Sequence, residues 1–173
     1  MIITKVSKML ELSQSELKEI LHYNPKTGVF TWIESNSNRV KIGDIAGHFH
    51  KSSGYIVIAI NGKLCKSHRL AWLYMTGHVP KDCIDHINGD RSDNRFCNLR
   101  EATQSQNNQN RIKAQKNNTT GYLGVTFHKA TNKYLAKIRI GGKCEHLGIF
   151  TTPEEASKAY LAKKREKHEF CTI

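Results

Sequence analysis

The chain has 173 residues and a hydrophobic content of 38%, enough for one ordinary domain or two small ones. No apolar run approaches the ~20 residues of a spanning helix, which sets aside a helical membrane protein. The net charge of +12 is uneven: residues 1–110 hold 14 Lys/Arg against 10 Asp/Glu, and residues 111–173 hold 13 against 5, so the shorter part points to a polyanionic partner.

The opening MIITKVSKMLEL lacks a long apolar core with a small-residue cleavage site, so no secretory signal is expected. Cysteines at 65, 83, 97, 144 and 171 form no CxxC pair. They read as reduced thiols of a cytoplasmic protein, not as a disulfide framework or zinc site.

Ser13-Gln14-Ser15-Glu16 is a capping box, and Leu17, Ile20 and Leu21 continue it at helical spacing to an expected end near Tyr23. Asn24-Pro25-Lys26-Thr27-Gly28 is turn chemistry, Val29–Trp32 a strand, and a polar loop runs to about residue 41. Residues 54–60 and 63–65 form a hairpin across Asn61-Gly62. This first third reads as a scaffold that packs behind the residues carrying the chemistry. Ser67 is expected to cap a helix through Met75 that Gly77 stops, with Leu70, Ala71, Leu73 and Tyr74 as packing positions. His68 reads as an ordinary histidine at a helix start ahead of a role in an active site. His48, His50 and His78 have no metal-ligand spacing to another candidate.

Residues 83–111, CIDHINGDRSDNRFCNLREATQSQNNQNR, carry that chemistry. The pattern predicts a strand ending in Asp85-His86, a Gly/Asp/Asn loop, a short strand through Asn98-Leu99 and a helix from Glu101 that carries Asn107. Such a ββα unit gathers Asp85, His86, Asn98 and Asn107, with Asn107 about two turns into its helix. One carboxylate, one imidazole and two carboxamides suffice to hold a divalent cation and activate a water beside it.

Residues 111–120, RIKAQKNNTT, read as a basic linker. Beyond it, strands at 122–127, 133–140 and 143–150 precede a helix that has Pro153 in its first turn and a small-residue face defined by Ala156, Ala159, Tyr160 and Ala162-Lys163. Along the second of these strands Tyr134, Ala136, Ile138 and Ile140 alternate with Lys133, Leu135, Lys137 and Arg139, so Lys133, Lys137 and Arg139 share the outward face at a ~7 Å repeat. The fold class expected is α+β. A small N-terminal sheet and helices lead into the ββα unit (domain 1–110), and a linker (111–120) joins it to a three-stranded antiparallel sheet packed on one helix (121–173).

The DH…N…N segment, with Ser67-His68-Arg69-Leu70-Ala71-Trp72 and Gly77-His78-Val79-Pro80 upstream, resembles the HNH motif of phage and intron-encoded homing endonucleases, of the ββα-metal superfamily. That resemblance implies His86 as general base, Asn98 as the residue orienting it, and Asp85 and Asn107 as metal ligands. Asn107 stands where many HNH enzymes have the final His. The oxygen ligands suit magnesium, and manganese fits the same site. Gly124-Val125, Tyr134-x-Ala136-x-Ile138, Leu147-Gly148-x-Phe150 and Thr152-Pro153-Glu154-Glu155-Ala156…Ala159-Tyr160 resemble the DNA-binding domain of plant ethylene-response factors, whose sheet lies in the major groove. The outward positions matching that domain are Thr126, His128, Lys137, Arg139 and His146. Together the resemblances imply a metal-dependent homing-type DNA endonuclease of the host-cell cytoplasm that binds double-stranded DNA, with no membrane and no small-molecule cofactor, as a monomer or homodimer. The alternative is a non-catalytic, sequence-specific DNA-binding regulator on a nuclease scaffold. An RNA-directed protein is disfavoured by the absence of RNP-type aromatic signatures.

Overall fold

Ser13 starts the first helix by a reciprocal cap: its hydroxyl accepts from the Glu16 N–H, and the Glu16 carboxylate accepts from the Ser13 N–H at 2.7 Å. The resulting helix, α1 (Gln14–Ile20), buries Leu17 and passes straight into strand β1 (Leu21–Asn24). The expected helix end near Tyr23 is thus corrected. Leu21 and Tyr23 are buried while His22 and Asn24 are exposed, a period of two that a strand satisfies and a helix does not. The structure, a computed structural model, describes residues 12–34, 39–115 and 117–173. The expectations for residues 1–11, for Ser35–Asn38 of the polar loop and for Lys116 lie outside the described residues.

The chain divides into two compact units, Met1–His86 with Asp90–Glu101, and Ile87–Gly89 with Ala102–Ile173. In the first, β1, β2 (Val29–Trp32) and β3 (Ile45–Ala46) form one antiparallel sheet. Strands β4 (His48–His50), β5 (Tyr55–Ile60) and β6 (Lys63–Lys66) form another. The β5–β6 turn is the expected one, Asn61 and Gly62 both taking positive φ. Helix α2 (Ser67–Thr76) ends on Gly77 in the left-handed conformation, but Lys66 is its N-cap and no side chain caps it, so Ser67 is its first residue and not its cap. Leu17, Leu21, Phe30, Ile58, Leu70, Ala71, Ile84 and Leu99 share the core.

Strands β7 (Cys83–His86) and β8 (Leu99–Ala102) pair, with a 3₁₀ turn at Phe96–Asn98 before β8. The helix expected from Glu101 starts three residues later: Thr103 and Gln106 form a second capping box, and α3 is Gln104–Gln109. Residue 101 belongs to the strand.

In the second unit β9 (Val125–His128), β10 (Lys133–Ile140) and β11 (Lys143–Phe150) form an antiparallel sheet in the order β11-β10-β9. Its first strand begins at Val125 rather than 122. Asn118 explains why: its amide donates to the Tyr122 and Val125 carbonyls, while its Oδ1 accepts from the Thr120 and Gly121 N–H groups, and this holds 120–124 as a turn. Helix α4 (Pro153–Lys167) is opened by a Thr152–Glu155 capping box and packs Ala156 on Val125 and Ala136. Gly124 has φ +68°, and a Cβ there would lie 2.0 Å from the Tyr160 ring, so the close approach of β9 to α4 requires glycine. Among the described residues no helix is long and apolar enough to cross a membrane.

Candidate active site

The loop from Asp90 to Asn98 is held together by its own side chains. Asp90 accepts from the Ser92 N–H and hydroxyl, and Asp93 accepts from Arg95 through the backbone N–H and the guanidinium Nε and Nη2. Asn98 donates its amide to the Asp93 carbonyl at 2.8 Å, tying the end of the loop to its middle. The N-terminal sheet holds the loop from outside. The Tyr23 hydroxyl donates to the Asn94 carbonyl at 2.6 Å, and the Phe96 N–H donates to the Pro25 carbonyl. Gly28, at φ +75°, lies so close that a Cβ would sit 2.5 Å from the Arg95 nitrogen.

That anchoring places Asn94, only 3% exposed, against His86. Asn94 donates from Nδ2 to the Ser92 carbonyl, which turns its Oδ1 toward His86 Nε2 at 3.3 Å. The ring nitrogen facing an amide oxygen must be the donor, so neutral His86 carries its proton on Nε2 and its lone pair on Nδ1. Burial pushes the His86 pKa down, opposed by the bond to Asn94 and by the carboxylates of Asp85, Asp90 and Asp93. His68 meets it edge to face at 4.9 Å between ring centroids, and Tyr55 lies 5.9 Å from His86. His68 is itself buried, its Nδ1 without a hydrogen-bond partner, and burial pushes its pKa down to about 2. Both imidazoles are therefore neutral near pH 7.

Asp85 is buried on β7, and Arg100 of β8 grips one of its oxygens, Nε and Nη2 each 2.9 Å from Oδ2. A buried carboxylate that already recruits a cation is a suitable hard ligand for a divalent ion. Among the described residues no group of three or more His, Cys, Asp and Glu could hold a metal. A lone buried carboxylate of this kind leaves most of a divalent ion's coordination to water and substrate.

The structure thus brings Asp85, His86 and Asn98 into the same ββ unit, all at least 95% buried. Asn107 lies half-buried in α3, in the second compact unit, its N–H bonded to the Thr103 carbonyl. Asn98 donates to the loop, and Asn94 puts an amide oxygen on the His86 ring. Asn94 and Arg100 are the residues that sequence reasoning missed. Arg100 had a weak signal, a basic residue on the strand paired with that of Asp85. Asn94 had its place in the Asn/Asp/Gly pattern between His86 and Asn98, which gave it no separate role.

In the second unit the register places all six outward candidates on one face. Thr126 is opposite Leu135, His128 opposite Lys133, Lys137 opposite His146 and Arg139 opposite Cys144. Thr126, His128, Lys133, Lys137, Arg139 and His146 are exposed, whereas Val125, Ala136 and Ile138 face the other way and are buried. Lys164 of α4 is buried instead: it is 1% exposed and donates to the Arg111 carbonyl.

A buried imidazole polarised by an amide, next to a buried carboxylate on paired strands, is an arrangement that can accept a proton from water. Residues 65–109 match a family model described as HNH endonuclease, which supports for that stretch, at the level of the family, a nuclease acting on DNA. No curated protein and no solved structure matches the chain.

Proposed function

We propose that the chain is a homing-type DNA endonuclease, cutting phosphodiester bonds with His86 as general base and positioned by its C-terminal sheet. The observation that carries this reading is the buried His86, its Nε2 3.3 Å from the Asn94 Oδ1 and its neighbour in sequence the buried Asp85. Nδ1 takes a proton from the attacking water, and the imidazolium so formed is stabilised by the nearby carboxylates of Asp85, Asp90 and Asp93. Attack at phosphorus expels the 3′ oxygen and leaves a 5′-phosphate and a 3′-hydroxyl. A divalent cation, magnesium or manganese, would be held by Asp85, with Asn107 as the second ligand implied by the motif, and would supply charge stabilisation at the scissile phosphate. Asn98 keeps the loop closed so that Asn94 stays on the ring.

The C-terminal sheet, similar to the ethylene-response-factor domain, presents Lys133, Lys137 and Arg139 to the DNA backbone and Thr126, His128 and His146 to the major groove. Lys137→Ala with Arg139→Ala is expected to weaken binding far more than it slows cleavage at saturating DNA. The hold of Arg100 on Asp85 favours one rival, a DNA-binding regulator whose site is closed by its own arginine. Nicking of supercoiled plasmid with magnesium and with EDTA separates the two. The endonuclease gives magnesium-dependent nicks that ligase can reseal, and the regulator retains plasmid without cutting it.

A further inference from the structure

Beside His86, on the face of the β4–β5–β6 sheet that carries Tyr55, lies a group of cations that the hydrolytic reading does not use. Lys66 Nζ sits 4.5 Å from the centroid of the Tyr55 ring, and the Arg91 guanidinium 5.0 Å from it. Arg91 is fixed at two further points: Nη1 donates to the Ser53 carbonyl at 2.9 Å, and its side chain passes over Gly54. Only one of its five N–H groups is spent on that bond. Among the described residues no carboxylate pairs with Lys66 or Arg91, and both are exposed. Partial burial of the Lys66 stem, and then the neighbouring Arg69 and Arg91, push the Lys66 pKa down, so like charges are gathered here. The shared ring, Tyr55, is 4.9 Å from His68 and 5.9 Å from His86.

We infer that Lys66 and Arg91, seated on Tyr55, form a phosphate cradle that grips the DNA backbone next to the scissile phosphate. The inference rests on the endonuclease reading for its substrate. A cation pair without a carboxylate partner, pre-organised on an aromatic face and one ring away from the general base, is suited to a polyanion whose next phosphate is to be attacked. The cradle supplies local register, whereas the C-terminal sheet supplies overall affinity. It grips phosphate alone, so it carries no base preference.

The test uses the full chain and a double-stranded oligonucleotide in EDTA, with binding followed by fluorescence anisotropy from low to high KCl. Neutralising one phosphate-binding cation lowers the slope of log K against log [salt] by about 0.9. Lys66→Gln and Arg91→Gln should each reduce the slope by about that amount, and the pair by about twice it. Lys66→Arg and Arg91→Lys, which keep the charge, should retain the wild-type slope, and this separates removal of a charge from failure to fold. A slope unchanged in the Gln pair overturns the cradle, even if the protein nicks plasmid in magnesium. A slope lowered in the Gln variants of a protein whose wild type never nicks keeps the cradle and removes the nuclease reading. An equal fall in slope for the Gln and the charge-keeping variants also overturns it.

Discussion

His68 should make the first compact unit labile to mild acid. Its imidazole is 4% exposed, its Nδ1 has no partner, and its pKa falls from 6.5 to about 2 on folding. The sign comes from linkage: below pH 6.5 the unfolded chain binds a proton at this position that the folded chain refuses, so stability falls as pH falls. Above pH 6.5 the residue contributes no pH dependence, and the loss continues down to the folded pKa. At about 1.4 kcal/mol per pH unit once the unfolded imidazole is charged, the loss between pH 7 and pH 5 is about 2 kcal/mol. With a urea m-value of about 2 kcal/mol/M, that moves the midpoint by about 1 M. Trp32 and Trp72, the chain's two tryptophans, both lie in this unit, so intrinsic fluorescence reports its unfolding separately from the C-terminal sheet. His68→Phe keeps a ring against Tyr55 and His86 and removes the titrating group. Its urea midpoint should shift by about 1 M less than the wild type's over the same pH range, the slope from His86 being common to both. Parallel curves for the two proteins would refute this role for His68.

Three further outcomes concern the loop and the carboxylate beside it. Tyr23→Phe removes the buried hydroxyl that holds the Asn94 carbonyl, and should cost about 1–3 kcal/mol by urea titration while lowering the single-turnover cleavage rate through a looser His86. Gly28→Ala places a Cβ 2.5 Å from the Arg95 backbone at a positive φ, and should destabilise the unit by at least about 1–2 kcal/mol in the same titration. Arg100→Gln leaves Asp85 as a buried carboxylate without its arginine and should cost about 3–5 kcal/mol in EDTA, with part of that recovered in millimolar magnesium. The absence of any magnesium effect on the variant's stability would argue against Asp85 as a metal ligand.

How much of the fold and site is legible in the sequence depends on whether the controlling interaction is local. The capping box at Ser13, the Asn61-Gly62 hairpin, the Gly77 stop and the alternation along β10 are written in neighbouring residues, and they appear in the fold as expected. The run Leu17-Ile20-Leu21 fits a longer helix, and pairing with β2, with Leu21 and Tyr23 both buried, makes residues 21–24 a strand. Strands β3 and β4 have two and three residues, and Ile45, His48 and Phe49 are exposed, too short and too mixed for a periodic signal. That Asp85 and His86 share a ββ unit with Asn98 is legible because their spacing is a motif. Asn94 is not, because its role depends on a hydroxyl 71 positions away that fixes its backbone. Arg100 likewise becomes meaningful only when β7 and β8 are paired.

The most direct test is the single-turnover nicking rate of His86→Ala on supercoiled plasmid in magnesium, at protein concentrations that saturate the DNA. Loss of the base that accepts the water proton should lower the rate by about 10²–10⁴ and leave the anisotropy-measured affinity for duplex DNA within experimental error of wild type. Cleavage at the wild-type rate would remove His86 from the chemistry and with it the proposed mechanism.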